Sequence, residues 1–311
     1  MSKIVITEFM DQAAVADLLK DHDVVYDPGL VDDRPGLFQH ISDAEGLIVR
    51  NRTQVDAMLL DRSPKLVAVG RLGVGLDNID VAACTNRDIS VHPASGANAD
   101  AVAEYVIAAV LTLIRGAFLA SDRVVRGEWP RNELSGMEVR GRTMGLVGLG
   151  DIARRVAALS QALGMEVIAS DPFVPDDDHV WSSVQRVDLE HLLSVSDGVS
   201  LHIPLTDATR GLIGSAELEA MRDTAVLVNT ARGGIIDEEA LIDALRKGSI
   251  RGAAIDVFSS EPLTPALATP FDRVPNLILT PHIAGVTEES NRRVSAMIAT
   301  RLRTALAEEA V

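Results

Sequence analysis

At 311 residues, 47% of them apolar, the chain is long enough for two domains, or one large one, with ample core. Its 45 acidic and 29 basic residues leave a net charge of −16, which argues against nucleic acid or an anionic membrane as a partner. No run of about 18 apolar residues is present, so no membrane span is expected. The single cysteine, Cys84, excludes an intramolecular disulfide and a multi-cysteine metal site, and no metal is expected.

The first residues, Met1 to Thr7, enter a strand pattern without the layout of a signal peptide, which points to the cytoplasm. Strands are predicted at residues 4–7, 24–26, 46–49, 66–69 and 89–91, with helical patterns between them, as at 12–20 and 55–60. Alternating strands and helices imply a parallel sheet, so roughly the first hundred residues read as an α/β unit of their own. Residues 98–114 predict a helix that is apolar nearly all round, to be buried on several sides at a domain junction or a subunit interface. Residues 121–141 are more polar and carry Trp129-Pro130-Arg131.

The strongest local signal follows. An apolar run at 144–147 ends in Gly148-Leu149-Gly150-Asp151-Ile152-Ala153, a helical pattern spans 152–163, and a second strand at 165–170 closes on Asp171. Strand, tight turn, helix, strand and acid in this order form the layout of a dinucleotide-binding unit. Gly148 permits the turn, Gly150 lets the backbone approach a pyrophosphate, and Ala153 keeps the helix close to the sheet. The helix start at Asp151 and Ile152 offers free N–H groups and a positive dipole end. Asp171 can accept hydrogen bonds from both ribose hydroxyls and would repel a 2′-phosphate, which favours NAD over NADP.

Further strands are predicted at 198–201, 225–228, 253–257 and 277–279, with helices at 188–194, 238–245 and 288–306. The last of these helices can return to the first domain. Three of the strands deliver a reactive side chain just past their carboxyl ends, where open α/β sheets bind ligands. These are Arg232 in Asn229-Thr230-Ala231-Arg232-Gly233-Gly234, Glu261 in Asp256-Val257-Phe258-Ser259-Ser260-Glu261-Pro262, and His282 in Pro281-His282-Ile283-Ala284-Gly285. Hydride transfer to a 2-oxo acid needs this set. A guanidinium grips the carboxylate and polarises the carbonyl. An imidazolium supplies the proton. A carboxylate beside it favours its protonated form.

These segments resemble the signatures of the D-isomer-specific 2-hydroxyacid dehydrogenase family, especially its phosphoglycerate-dehydrogenase-like branch. The match extends to residues 70–80 and to Asn98 with Val102-Ala103-Glu104, so it covers nearly the whole chain. The resemblance implies an α/β fold of two Rossmann-like domains. Residues 1–97 with 287–311 would form a flavodoxin-like substrate domain, and 98–286 an inserted NAD-binding domain. The active site would lie in the cleft, closing about hinges near 94–98 and 284–287 to exclude water. Arg232, Glu261 and His282 would be catalytic. Gly148, Gly150, Asp151, Ile152, Asp171, His202, Pro204, Thr209, Thr230, Ala231, Arg232, Asp256, His282 and Gly285 would contact NAD, with Asp256 on the nicotinamide amide. The helix region 98–120 would build a homodimer.

Two departures from the family stand out. Ala153 replaces the commoner glycine, and Asp151 sits where many relatives carry a basic or polar residue. The regulatory extension of many phosphoglycerate dehydrogenases is not expected beyond Val311.

For the substrate, Val74, Gly75, Arg232 and His282 would hold the 2-oxo acid. Arg50 and Arg71, each after a strand of the first domain, resemble residues that bind a second anionic group; Arg52 stands beside them. The reading is a small anionic 2-hydroxy or 2-oxo acid of the 3-phosphoglycerate, 3-sulfolactate or malate type. With only four lysines in the chain, the choice leans toward sulfolactate. Open alternatives are a glyoxylate or hydroxypyruvate reductase, an NAD-sensing binding protein on the same fold, and a formate dehydrogenase. The pairing of Glu261 with His282 points away from the last. The acidic balance leaves a salt-tolerant source and an ordinary acidic bacterial enzyme both open.

Overall fold

A computed structural model describes residues 1–308, the Leu119 side chain apart. The chain divides into two compact units, Met1–Asn98 with Val286–Val311, and Ala99–Gly285.

The first unit runs β1 (Lys3–Ile6), α1 (Gln12–Leu18), β2 (Asp23–Tyr26), α2 (Arg34–Ile41), β3 (Gly46–Val49), α3 (Ala57–Leu60), β4 (Ala68–Arg71), α4 (Val81–Thr85) and β5 (Ser90–Pro93). Its strands pair in parallel in the order β2-β1-β3-β4-β5, the flavodoxin-like arrangement. The period of two along β1 sorts the core: Ile4 and Ile6 face one layer, Val5 the other. The second layer takes Leu37 and Ile41 of α2, Leu59 and Leu60 of α3, and the buried free thiol of Cys84. The first layer is covered by the terminal helix, numbered α12 after those of the second unit (Glu288–Glu308), through Ile298, Leu302 and Leu306. Gly70 lets it close in, since a Cβ there would stand 2.5 Å from Ile298 Cγ2.

The second unit runs α5 (Ala99–Arg115), α6 (Ser121–Val125), β6 (Thr143–Val147), α7 (Asp151–Ala162), β7 (Glu166–Ser170), β8 (Gln185–Arg186), α8 (Leu189–Val195), β9 (Gly198–Leu201), α9 (Ser215–Ala220), β10 (Val226–Asn229), α10 (Glu238–Lys247), β11 (Gly252–Ile255), α11 (Pro265–Ala268) and β12 (Leu277–Leu279). Its seven-stranded sheet has the order β12-β11-β10-β9-β6-β7-β8, every pair parallel. The chain leaves β6 for β7 on one side and later returns to β9 on the other, so the topological switch lies at the carboxyl ends of β6 and β9. Helices α5 and α7 cover one face, and α8, α9 and α10 the other.

α5 is buried on several sides within its unit but not all round. It buries Val102, Val106, Val110 and Leu113 but leaves a stripe through Glu104, Ala108 and Arg115 exposed. β4 starts two residues later than its hydrophobic run, because Gly46 pairs with Ala68 while Leu66 is buried ahead of the ladder. The short helices α2 and α9 carry too few periodic residues to be read from sequence.

Candidate active site

Glycine geometry builds the first part. Gly148 takes φ +90°, and a Cβ there would stand 2.6 Å from His202 O, so only glycine lets the β6 turn pass the end of β9. Around Gly150 the space is open, with nothing within 4 Å of a built Cβ. Gly150 is also the N-cap of α7 and offers no side-chain cap. Helices α1, α2, α3, α4, α8 and α10 are each capped by an aspartate side chain. The N–H groups at the start of α7, around Asp151 and Ile152, are thus left for an anion. Asp171 steadies the turn, one oxygen accepting from Leu149 N at 2.7 Å and the other from Phe173 N at 2.8 Å. A carboxylate has about four acceptor positions, so capacity remains for hydroxyls.

Other expected cofactor residues line the same sheet edge. His202 Nε2 is buried without a partner among the described residues, and burial pushes its pKa down to about 4, so the ring is neutral. Thr230 Oγ1 is likewise buried and unpartnered. Thr209 Oγ1 instead holds its own loop, donating to Pro204 O at 2.7 Å and accepting from Thr206 N at 2.8 Å. An uncapped helix start, an open cradle and orphaned polar atoms fit a dinucleotide.

The reactive trio follows β10, β11 and β12. Asn229, 2% exposed, staples the arginine loop: its amide donates to Arg232 O at 2.9 Å and its carbonyl accepts from Ala231 N at 3.0 Å. Arg232 donates to Ala231 O at 2.6 Å. A Cβ on Gly233 would stand 1.8 Å from Phe258 O, so the arginine loop can pass the glutamate loop only with glycine there. His282 Nδ1 lies 2.7 Å from Glu261 Oε2, and Glu261 Oε1 accepts from Phe258 N at 2.9 Å. Burial alone raises the Glu261 pKa. The hydrogen bonds from His282 and Phe258, with the charges of His282 and Arg232, outweigh it and hold the carboxyl below its ordinary range.

Asp256 anchors the histidine loop from a fully buried position. Its backbone oxygen accepts from His282 N at 2.8 Å. Oδ1 accepts from Ile283 N at 2.8 Å and Thr280 Oγ1 at 2.6 Å, and Oδ2 from Ala284 N at 2.9 Å. Three contacts leave one acceptor position for a further donor. Gly285 closes this loop and the unit.

In the first unit, the carboxyl ends of β3 and β4 carry the residues expected to bind an anion, and Glu8 stands past the end of β1. Glu8, 6% exposed, accepts from the N–H groups of Arg50, Arg52 and Thr53 at 2.8, 3.2 and 3.0 Å, which fixes the loop after β3. Arg50 donates to Asn291 Oδ1 at 2.8 Å and stacks 6.0 Å from the Phe9 ring centroid. Arg52 points to an exposed pair with Asp32. Arg71 donates to Leu72 O at 3.1 Å and lies where a Gly73 side chain would stand. The Val74 and Gly75 N–H groups donate to none of the described residues.

Sequence reasoning misses Glu8, Asn229 and the Arg154–Asp178 pair, a two-armed bridge at 3.1 and 2.7 Å whose arginine also donates to Leu149 O. Only an acid beside the first strand end, and an asparagine opening the arginine motif, hint at the first two.

The family model for the NAD-binding domain of D-isomer-specific 2-hydroxyacid dehydrogenases matches residues 107–284. The chain is 53% identical over 307 residues to an (S)-sulfolactate dehydrogenase of Chromohalobacter salexigens, covering 98% of this chain and 99% of that one. It is 41% identical over 266 residues to a D-3-phosphoglycerate dehydrogenase of Archaeoglobus fulgidus, covering 86% of this chain but 50% of that protein. The crystal structure of the TT0316 protein of Thermus thermophilus superposes with a TM-score of 0.87 at 31% identity, covering 98% and 97% of the two chains. No described helix is long and apolar enough to cross a membrane. With a model spanning more than half of its length and a relative matched end to end, the chain belongs to the D-isomer-specific 2-hydroxyacid dehydrogenase family, enzymes that act on a small 2-hydroxy or 2-oxo acid with a nicotinamide cofactor.

Proposed function

We propose that the chain is an NAD-linked dehydrogenase interconverting (S)-3-sulfolactate and 3-sulfopyruvate. The observation that carries the chemistry is the 2.7 Å pair of His282 Nδ1 and Glu261, on the sheet edge that also bears Arg232. A bound nicotinamide would supply the hydride acceptor for C2 of the hydroxy acid, or the hydride donor to the oxo acid. His282 takes the hydroxyl proton on Nε2 as the carbonyl forms, and gives it back in the reverse direction. Glu261 orients the ring and balances its charge. Arg232 grips the carboxylate and polarises the C2 oxygen. The free Val74 and Gly75 N–H groups serve the same carboxylate, and Arg50 and Arg71 the distal sulfonate.

NAD rather than NADP is supported by Asp171, whose carboxylate would repel a 2′-phosphate. The spare acceptor position of Asp256 suits the nicotinamide amide. His202, Pro204, Thr209, Thr230, Ala231 and Gly285 complete the cofactor lining, Thr209 through its hold on Pro204. The second unit is accordingly the NAD-binding domain, and the first the substrate domain. The open stripe of α5, with exposed Phe118, Val125 and Trp129 beyond it, supports a homodimer through this region. A single buried thiol suits the cytoplasm.

The substrate choice rests on the end-to-end similarity to an (S)-sulfolactate dehydrogenase. None of the four lysines stands after a strand end: Lys3 opens β1, Lys20 follows α1, Lys65 precedes β4 and Lys247 ends α10. The S label agrees with D-type geometry because sulfur changes the substituent priorities. Initial rates of NADH and NADPH oxidation with sulfopyruvate, phosphohydroxypyruvate, oxaloacetate, hydroxypyruvate and glyoxylate test the reading. The highest kcat/KM is expected for sulfopyruvate with NADH. Preference for phosphohydroxypyruvate or for a monoanion would replace it.

A further inference from the structure

Tyr105 stands in the second turn of α5, the helix that opens the second unit, while Thr280 stands in the loop that closes it. The phenol oxygen lies 2.6 Å from Thr280 Oγ1, across 175 positions of sequence. Thr280 Oγ1 donates to Asp256 Oδ1 at 2.6 Å. A threonine hydroxyl has one proton. With that proton on Asp256, Tyr105 must be the donor to Thr280. Burial raises the phenol pKa, with the Asp256 charge in support against the Thr280 bond, so the donor stays protonated.

We infer that Tyr105 is a positioning residue for His282, acting through Thr280 and Asp256. Three observations support this. His282 sits at φ +54°, a left-handed conformation rare outside glycine, so its loop must be held in place. Asp256 is what holds it, through the His282, Ile283 and Ala284 N–H groups. Oδ1 accepts from both Thr280 and Ile283, so the Tyr105–Thr280 chain fixes the rotation of the carboxylate that sets the loop. Hydrogen bonds in series polarise one another, so loss of the outermost donor weakens the inner ones. Tyr105 is half-buried against the α5–α7 core layer, which fixes its ring independently of the hydroxyl.

The inference rests on His282 as the acid/base group, and the test separates the two. Tyr105→Phe removes the donor and keeps the ring. It is expected to lower kcat about tenfold, within the range by which small misplacements of a catalytic group slow a reaction, and by more than it weakens NADH binding read by fluorescence. Thr280→Val breaks the chain at its middle, and Tyr105→Phe added to it should cause no further loss. A Tyr105→Phe enzyme with full kcat would overturn the inference. So would an undiminished Tyr105→Phe effect in the Thr280→Val background, or a kcat loss matched by lost NADH binding. His282→Asn is the control: if it turns over at the normal rate, the acid/base reading fails instead.

Discussion

Glu261 is pulled two ways, and the outcome sets what its removal should do. Burial favours the neutral acid, yet the His282 ring, the Phe258 N–H and the Arg232 charge hold the carboxylate ionised below its ordinary range. Its folded pKa is depressed, so its contribution to stability is present above the unfolded value of 4.5 and is lost as pH falls through the lower folded one. Glu261→Gln keeps the size and removes the charge. The urea midpoint of the natural protein minus that of the variant should stay level above about pH 4.5 and shrink below it. At neutral pH, kcat should fall about a hundredfold, because His282 in its proposed acid/base role loses the partner that orients it. Unchanged kcat would mean that the 2.7 Å contact has no part in the chemistry. Glu261 and His282 are legible in the sequence because each follows an apolar strand within a few residues. Asn229, Asp256 as a loop anchor and Tyr105 are not. Their partners are set by which loops and helices adjoin, and Tyr105 meets Thr280 across 175 positions.

At the scale of elements, two glycines of similar appearance have opposite requirements. Gly233 lets the loop after β10 cross the loop after β11, and a Cβ would stand 1.8 Å from Phe258 O and 2.0 Å from Phe258 C. Backbone cannot move aside as a side-chain tip can. Gly233→Ala should destabilise by about 3 kcal/mol, the upper end of ordinary single-residue effects, and displace Arg232. Gly150 faces open space at φ −77° and ψ −168°, an extended conformation that alanine adopts without strain. Gly150→Ala should therefore fold as well as the natural chain or slightly better. Its Cβ would project where the pyrophosphate approaches, so the NADH Kd should rise about tenfold, or about 1.4 kcal/mol. Thermal melts with and without NADH separate the two variants. A Gly150→Ala protein that binds NADH normally would remove the pyrophosphate from this turn. Sequence spacing marks both glycines, but only the neighbouring backbone tells a crossing from a cradle.

For the whole molecule, strand–helix alternation foretells two parallel sheets, whereas their order depends on right-handed crossovers that no local pattern encodes. Charge acts at this scale too. A net −16 on one chain opposes both compaction and the approach of a second copy. Six aspartates cap the N-termini of α-helices, where the helix dipole favours them. Others pair with arginines on the surface, and such pairs contribute little. The remaining repulsion acts through solvent and is screened over about 8 Å at physiological salt and about 3 Å at 1 M. Association through the exposed Phe118, Val125 and Trp129 has the opposite dependence, because apolar contact is not weakened by added salt. Raising NaCl from about 0.05 to about 1 M should raise the Tm and shift any monomer toward dimer in sedimentation velocity, as the Debye length shrinks. Trp129→Glu, which places charge on an 81% exposed apolar surface, should leave a folded monomer at both salts. A natural chain that sediments as a monomer at high salt would exclude the dimer, and a Tm falling steadily with salt would exclude charge repulsion as the stress its acidic surface imposes.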